Sequence, residues 1–256
     1  MNASRPRGIY ILPNLFTIAS LFAGFLGIVW AIQGQFQMTA VAILISCVCD
    51  GLDGQVARMT RASSEFGVQM DSLADLVAFG VGPALLVYLW QTHIFGRLGL
   101  VSSFLFLACG ALRLARFNVQ AMRGGSSGSK KFFVGLPIPA AACMIATLVL
   151  FSTYLPAEVL ESVIPSFSLA LIYLLALLMV SKVRYASFKD VEVIKAHPYR
   201  ASLAVVLLFV LVASEPKLIG FLFFMAYLIS GLVYSFVAVP LLRGTFLRGL
   251  SRQKPS

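Results

Sequence analysis

Charge is what this sequence is short of. Only 12% of its 256 residues are Asp, Glu, Lys or Arg, and just ten are acidic, against 59% apolar residues. A soluble domain carries about 25% charged and about 45–50% apolar residues, so an ordinary water-solvated globule is excluded and lipid is the expected solvent. Cysteine is scarce as well. Cys47, Cys49, Cys109 and Cys143 all fall inside apolar runs, where they read as small buried residues and define no disulfide framework. Long polar stretches are lacking too: the longest, Gln120–Phe133 and Lys182–Arg200, are too short for a soluble domain, and no short-period repeat is present. The Arg5/Arg7 start has no small-residue cleavage site after it, so no cleavable signal peptide is expected.

What is there is a series of long apolar runs. A membrane-crossing helix needs about 20 mostly apolar residues. Eight windows qualify or come close: Leu12–Ile32, Met38–Gly54, Ser72–Trp90, Leu98–Leu114, Ile138–Tyr154, Phe167–Val183, Ala201–Ala213 and Leu218–Leu242. The seventh is the shortest. The fold expected is an all-α, polytopic bundle with both termini on one side. Its core is residues 1–190, and residues 191–256 add two helices and a basic tail. With eight spans, every one of the 20 basic residues except Arg97 and Lys217 falls on the side of the termini. By the positive-inside rule that side is cytoplasmic, as in a protein of a bacterial inner membrane. The net charge of +10 then lies in loops facing anionic lipid headgroups, and nucleic acid is not an expected partner.

Ionisable residues inside spans are costly and by default functional. Four of the ten acidic residues, Asp50, Asp53, Asp71 and Asp75, gather where the second and third spans meet the cytoplasmic side. Residues three or four apart share a helical face, so each pair projects together, and the short segment 59–70 makes the two helices neighbours. Four converging carboxylates need either protonation or divalent cations. An oxygen-only donor set suits Mg²⁺ or Mn²⁺, and two such ions can clamp a pyrophosphate. Arg58 and Arg61 fit an anionic substrate beside them. Gly54 and Gly67 leave bare backbone for close approach of a ligand. A cation transporter would also use intramembrane carboxylates, but it would distribute them across the membrane depth. Here all four stand at one edge.

The pattern Asp-x-x-Asp-Gly-x-x-Ala-Arg, eight residues, Gly, three residues, Asp, three residues, Asp resembles the signature of the CDP-alcohol phosphatidyltransferases. Asp50, Asp53, Gly54, Ala57, Arg58, Gly67, Asp71 and Asp75 occupy every fixed position. The resemblance implies a membrane homodimer with a six-span core and a cavity open to the cytoplasm. It implies metal binding by Asp50, Asp53 and Asp71, with Asp75 as general base and close enough to ligate. It implies a CDP-diacylglycerol site at Gly54, Ala57, Arg58, Ser64 and Gly67, joined by Asn14 and Thr17 from the first span.

Members of the family differ in the alcohol that accepts the phosphatidyl group. Three stretches, Arg113-Leu114-Ala115-Arg116-Phe117-Asn118, Phe133-Val134-Gly135-Leu136-Pro137-Ile138-Pro139-Ala140 and Ser181-Lys182-Val183-Arg184-Tyr185, resemble the branch that uses L-serine, the integral-membrane phosphatidylserine synthases. Arg113 and Arg116 share a helical face and can hold a carboxylate, and Asn118 offers a donor and an acceptor. Glycerol 3-phosphate or inositol phosphate would use arginines too, so charge does not separate these acceptors. The Gly-Leu-Pro-Ile-Pro run reads as a rigid entry turn.

Overall fold

The computed structural model describes residues 11–60, 65–122, 132–186 and 215–235, and within them the chain is a bundle of helices. α1 (Ile11–Ile32) and α2 (Phe36–Thr60) form an antiparallel hairpin turning at Gly34, whose φ is 76°. That left-handed conformation is cheap only for glycine. It lets Gly34 and Gln35 donate their N–H groups to the carbonyls of Ala31 and Trp30, closing α1. Hydroxyls then tie the two helices. Ser20 and Ser46 share a hydrogen bond of 2.7 Å, and Thr39 Oγ1 donates to the Gly27 carbonyl at 3.0 Å. Small and hydroxylated residues at a helix crossing are what an apolar solvent favours, because close backbone packing and internal hydrogen bonds replace the hydrophobic effect.

The third span is continuous but not uniform. α3 (Glu65–Asp75) passes through a π-helical turn at Leu76–Val81 into α4 (Gly82–Trp90). Pro83 has no N–H for the carbonyl four residues back, and the ladder widens just before it, with Gly82 N–H reaching the Val77 carbonyl five residues back. The turn begins directly after Asp75. It rotates the buried face of α4 relative to the face that carries Asp71 and Asp75, so one span can pack into the core and still present both carboxylates.

α1 crosses this span at a point where a Cβ on Gly24 would stand 2.7 Å from both Cα and Cβ of Ala78. Neither of those atoms can swing aside. Gly24→Leu is therefore expected to destabilise the bundle by at least about 1–3 kcal/mol through overpacking, read as a lower thermal midpoint of the detergent-solubilised protein; an unchanged midpoint would contradict the crossing.

The remaining elements are α5 (Arg97–Met122), β1 (Phe132–Val134), α6 (Ile138–Phe151), α7 (Ala157–Ser162), α8 (Ile164–Val180), β2 (Arg184–Ala186) and α9 (Pro216–Val233). α6 is innermost, with every residue from Ala141 to Leu150 buried, and it packs against α2 and α9. α5 lies along α8. Apolar side chains such as Phe22, Phe104, Leu112 and Leu177 stay more than half exposed on the outer faces. A rim of that kind suits lipid.

Among the described residues, five helices are long and apolar enough to cross a membrane: Asn14–Ile32, Phe36–Val56, Phe66–Trp90, Arg97–Gln120 and Pro216–Val233. They correspond to the expected spans one to four and eight. The expected fifth and sixth spans are apolar but shorter helices, Ile138–Tyr154 and Ile164–Val180. The expected seventh span, Ala201–Ala213, lies outside the described residues.

One feature departs from an all-α chain. β1 and β2 pair antiparallel, with Phe133 opposite Tyr185. The entry to α6 and the exit of α8 run side by side there, and pairing satisfies their backbone groups. Gly135, at φ 82°, lets the chain turn into α6. Its N–H bonds the Val183 carbonyl at 2.8 Å, and Leu136 N–H bonds Leu178 at 3.0 Å. A Cβ on Gly135 would stand 2.5 Å from the Met179 carbonyl oxygen, which is why glycine opens the Gly-Leu-Pro-Ile-Pro turn.

Candidate active site

Three of the four aspartates come together. Asp50 and Asp53 come from α2 and Asp71 from α3, and carboxylate oxygens of the three lie within 4.8 Å of one another. Asp53 is the most enclosed, at 6% exposure. Its Oδ2 accepts a buried hydrogen bond of 2.9 Å from Thr17 Oγ1 on α1, which holds the carboxylate in one orientation. Asn14 lies three residues before Thr17, on the same side of α1. Asp75, one helical turn beyond Asp71, is not part of the group of three, but its carboxyl is within hydrogen-bond reach of Asp50.

This donor set fits a hard divalent cation. Metal–oxygen distances near 2.1 Å imply ligand oxygens roughly 3–4 Å apart, so small side-chain rotations would close the three carboxylates on an ion. Every donor is oxygen, and no nearby cation on α1 neutralises the cluster in its place.

The residues expected to hold the nucleotide are divided. Gly54 and Gly67 are half-buried, beside Asp53 and one turn before Asp71 respectively. Ala57 and Arg58 continue α2, but their side chains, like Ser64 and Arg61, lie outside what is described.

The expected acceptor residues separate on α5. Arg113 is only 9% exposed and its guanidinium lies 4.6 Å from the centre of the Phe117 ring. It is also near enough to Asp75 to interact electrostatically. Arg116, three residues on, is exposed, so the two arginines do not act as a pair in the same environment. Asn118 reaches across to α3. Its Nδ2 donates to Ser72 Oγ at 3.0 Å and to Gln69 Oε1 at 3.3 Å. These bonds hold α5 against α3 on either side of Asp71. The sequence reading missed Ser72; the one available signal was a hydroxyl in an otherwise apolar stretch beside Asp71.

The cysteines behave as small buried residues. All four are free thiols, and Cys47 and Cys143 face each other within hydrogen-bond reach between α2 and α6.

A membrane helix bundle with an oxygen-only acidic cluster at the end of its second and third spans defines a class, and comparison with known proteins gives that class its name. Residues 10–180 match the CDP-alcohol phosphatidyltransferase family model, and the chain belongs to this family. Among curated relatives it is 43% identical over 184 residues to the CDP-diacylglycerol–serine O-phosphatidyltransferase of Helicobacter pylori, covering 72% of this chain and 75% of the relative. It is 35% identical to the enzyme of the same name from Methanocaldococcus jannaschii, over 72% and 78% of the two chains. An archaetidylserine synthase from Methanothermobacter thermautotrophicus is 36% identical over 60% of this chain and 64% of its own length.

Proposed function

We propose that this protein transfers the phosphatidyl group of CDP-diacylglycerol to the hydroxyl of L-serine, giving phosphatidylserine and CMP. The observation that carries this reading is the cluster of Asp50, Asp53 and Asp71 with Asp75 and the buried Arg113 at its flank. The names of the serine-specific relatives support the choice of acceptor.

In this reading Asp50, Asp53 and Asp71 would hold two divalent ions, Mg²⁺ or Mn²⁺, which would neutralise the pyrophosphate and the charge developing on the leaving CMP. Thr17 fixes the orientation of the Asp53 carboxylate through its hydrogen bond. Gly54, Ala57, Arg58, Ser64 and Gly67, with Asn14, form the nucleotide side of the pocket. The serine oxygen forms a bond to the β-phosphorus as the bond from that phosphorus to the CMP oxygen breaks. Asp75 takes the hydroxyl proton as the new bond forms. Arg113 holds the serine carboxylate, with Arg116 at the open edge, and Asn118 keeps α3 and α5 in register. Eight spans, both termini on the cytoplasmic side and a site open to that side agree with the segregation of basic residues. The family resemblance adds a homodimer.

The deciding measurement is CMP release from CDP-diacylglycerol in mixed micelles with Mg²⁺ or Mn²⁺, compared across serine, glycerol 3-phosphate and inositol. Release with serine and background release with the others is the expected result. Release with glycerol 3-phosphate in place of serine would overturn the acceptor.

A further inference from the structure

The family match ends at residue 180, yet α9, which begins at Pro216, packs on α6 and β2. Tyrosines make that junction. Tyr185, on β2, is fully buried, and its ring fills a slot left by Gly231 of α9. A Cβ on Gly231 would fall 2.1 Å from Tyr185 Cε1 and 2.5 Å from its Cζ. One turn earlier on the same face of α9, the Tyr227 ring stands 5.4 Å from that of Tyr185, tilted by 37°. Tyr227 is also close enough to Arg113 to interact with it electrostatically, as Asp75 is. A run of polar groups therefore leads from the aspartate cluster through Arg113 to the last described helix.

Two donors in this run are buried with no hydrogen-bond partner among the described residues, Arg113 Nε and Tyr185 Oη. Leaving a buried donor unpaired costs about 1–3 kcal/mol, and such atoms call for a ligand or ordered water that completes them. Burial pushes the Tyr185 phenol up to about 12, so it stays an O–H donor at any working pH. A guanidinium 4.6 Å from the Phe117 ring centre, with the Tyr227 phenol near enough to interact with it and Tyr185 against Tyr227, is suited in a water-poor setting to a planar carboxylate. Among the described residues Arg113 is the buried cation at this place, and Arg116 is exposed.

We propose that Tyr185 and Tyr227 join Arg113 in binding the carboxylate of an amino-acid acceptor, so that α9 forms one wall of the acceptor pocket. This rests on the reading of serine as acceptor given above, and it gives the C-terminal addition a part in specificity.

The test uses the full chain in mixed micelles of CDP-diacylglycerol, with Tyr185→Phe and Tyr227→Phe, which keep the rings that pack against Gly231 and each other. For Tyr185→Phe the KM for serine is expected to rise about tenfold, the size of one hydrogen bond to a charged group, and for Tyr227→Phe a few-fold. The kcat at saturating serine and the KM for CDP-diacylglycerol should stay within about twofold, the pattern of lost acceptor binding alone. Serine methyl ester, whose carboxylate is masked, should show the same KM in wild type and variants. An unchanged serine KM in both variants would mean the tyrosines only pack, and it would overturn this inference while leaving serine transfer intact. An equal rise for serine and its ester would overturn the carboxylate assignment. Wild type that ignores serine would remove the acceptor reading and this inference together.

Discussion

Asp75→Asn is expected to reduce CMP release by about 10²–10⁴-fold, the range for loss of a positioned general base, while CDP-diacylglycerol binding is largely retained. The argument is positional. Asp50, Asp53 and Asp71 form the tight oxygen cluster, whereas Asp75 stands one turn further along, against Asp50 and on the side of Arg113. It is therefore next to the proposed acceptor as well as the metals. An amide keeps the size of the side chain and its contact with Asp50 but cannot accept the hydroxyl proton. Binding of labelled CDP-diacylglycerol and single-turnover CMP release, measured on the same preparation, separate the two effects. Equal loss of binding and turnover would make Asp75 a fourth metal ligand in function and would sink its assignment as base.

Asp53→Asn should behave in the opposite way, losing binding and turnover together by about three orders of magnitude or more, since the ions it helps hold both clamp the pyrophosphate and stabilise the transition state. Asp53 is the most enclosed of the quartet and is oriented by Thr17, so no neighbouring side chain can take its place. Wild type stripped with a chelator should show the same double loss and recover when Mg²⁺ or Mn²⁺ is restored; the variant should not recover. Full activity of chelated wild type would remove the metals from the reading altogether.

These expectations separate what is local from what is not. The aspartate positions were legible because helical spacing is local: three and four residues bring side chains to one face wherever the helix goes, and charge in an apolar run is too costly to be incidental. The long spans were legible for the same kind of reason, since their length and hydropathy answer to the thickness of a bilayer. Arg113 and Arg116 show where such reasoning stops. Their spacing shares a face, but whether that face is covered depends on what packs there, and α5 continues to Met122, carrying Arg116 into the open while Arg113 stays beneath its neighbours. Asn118 likewise had the right chemistry for an acceptor, and only the approach of α3 gives its amide to Ser72 and Gln69.

The sequence by itself determined a helical bundle suited to lipid and the edge at which its acidic residues gather, because each follows from composition or from spacings of a few residues, and the resemblance of its motif to a known signature added the reaction family. The tertiary structure alone decided that a π-helical turn follows Asp75, that a two-stranded ribbon joins the ends of α6 and α8, and that Tyr185 meets Gly231 and Tyr227 across more than 40 residues of chain. No local period encodes a contact of that separation. It exists only once the bundle has closed and brought α9 against α6 and β2.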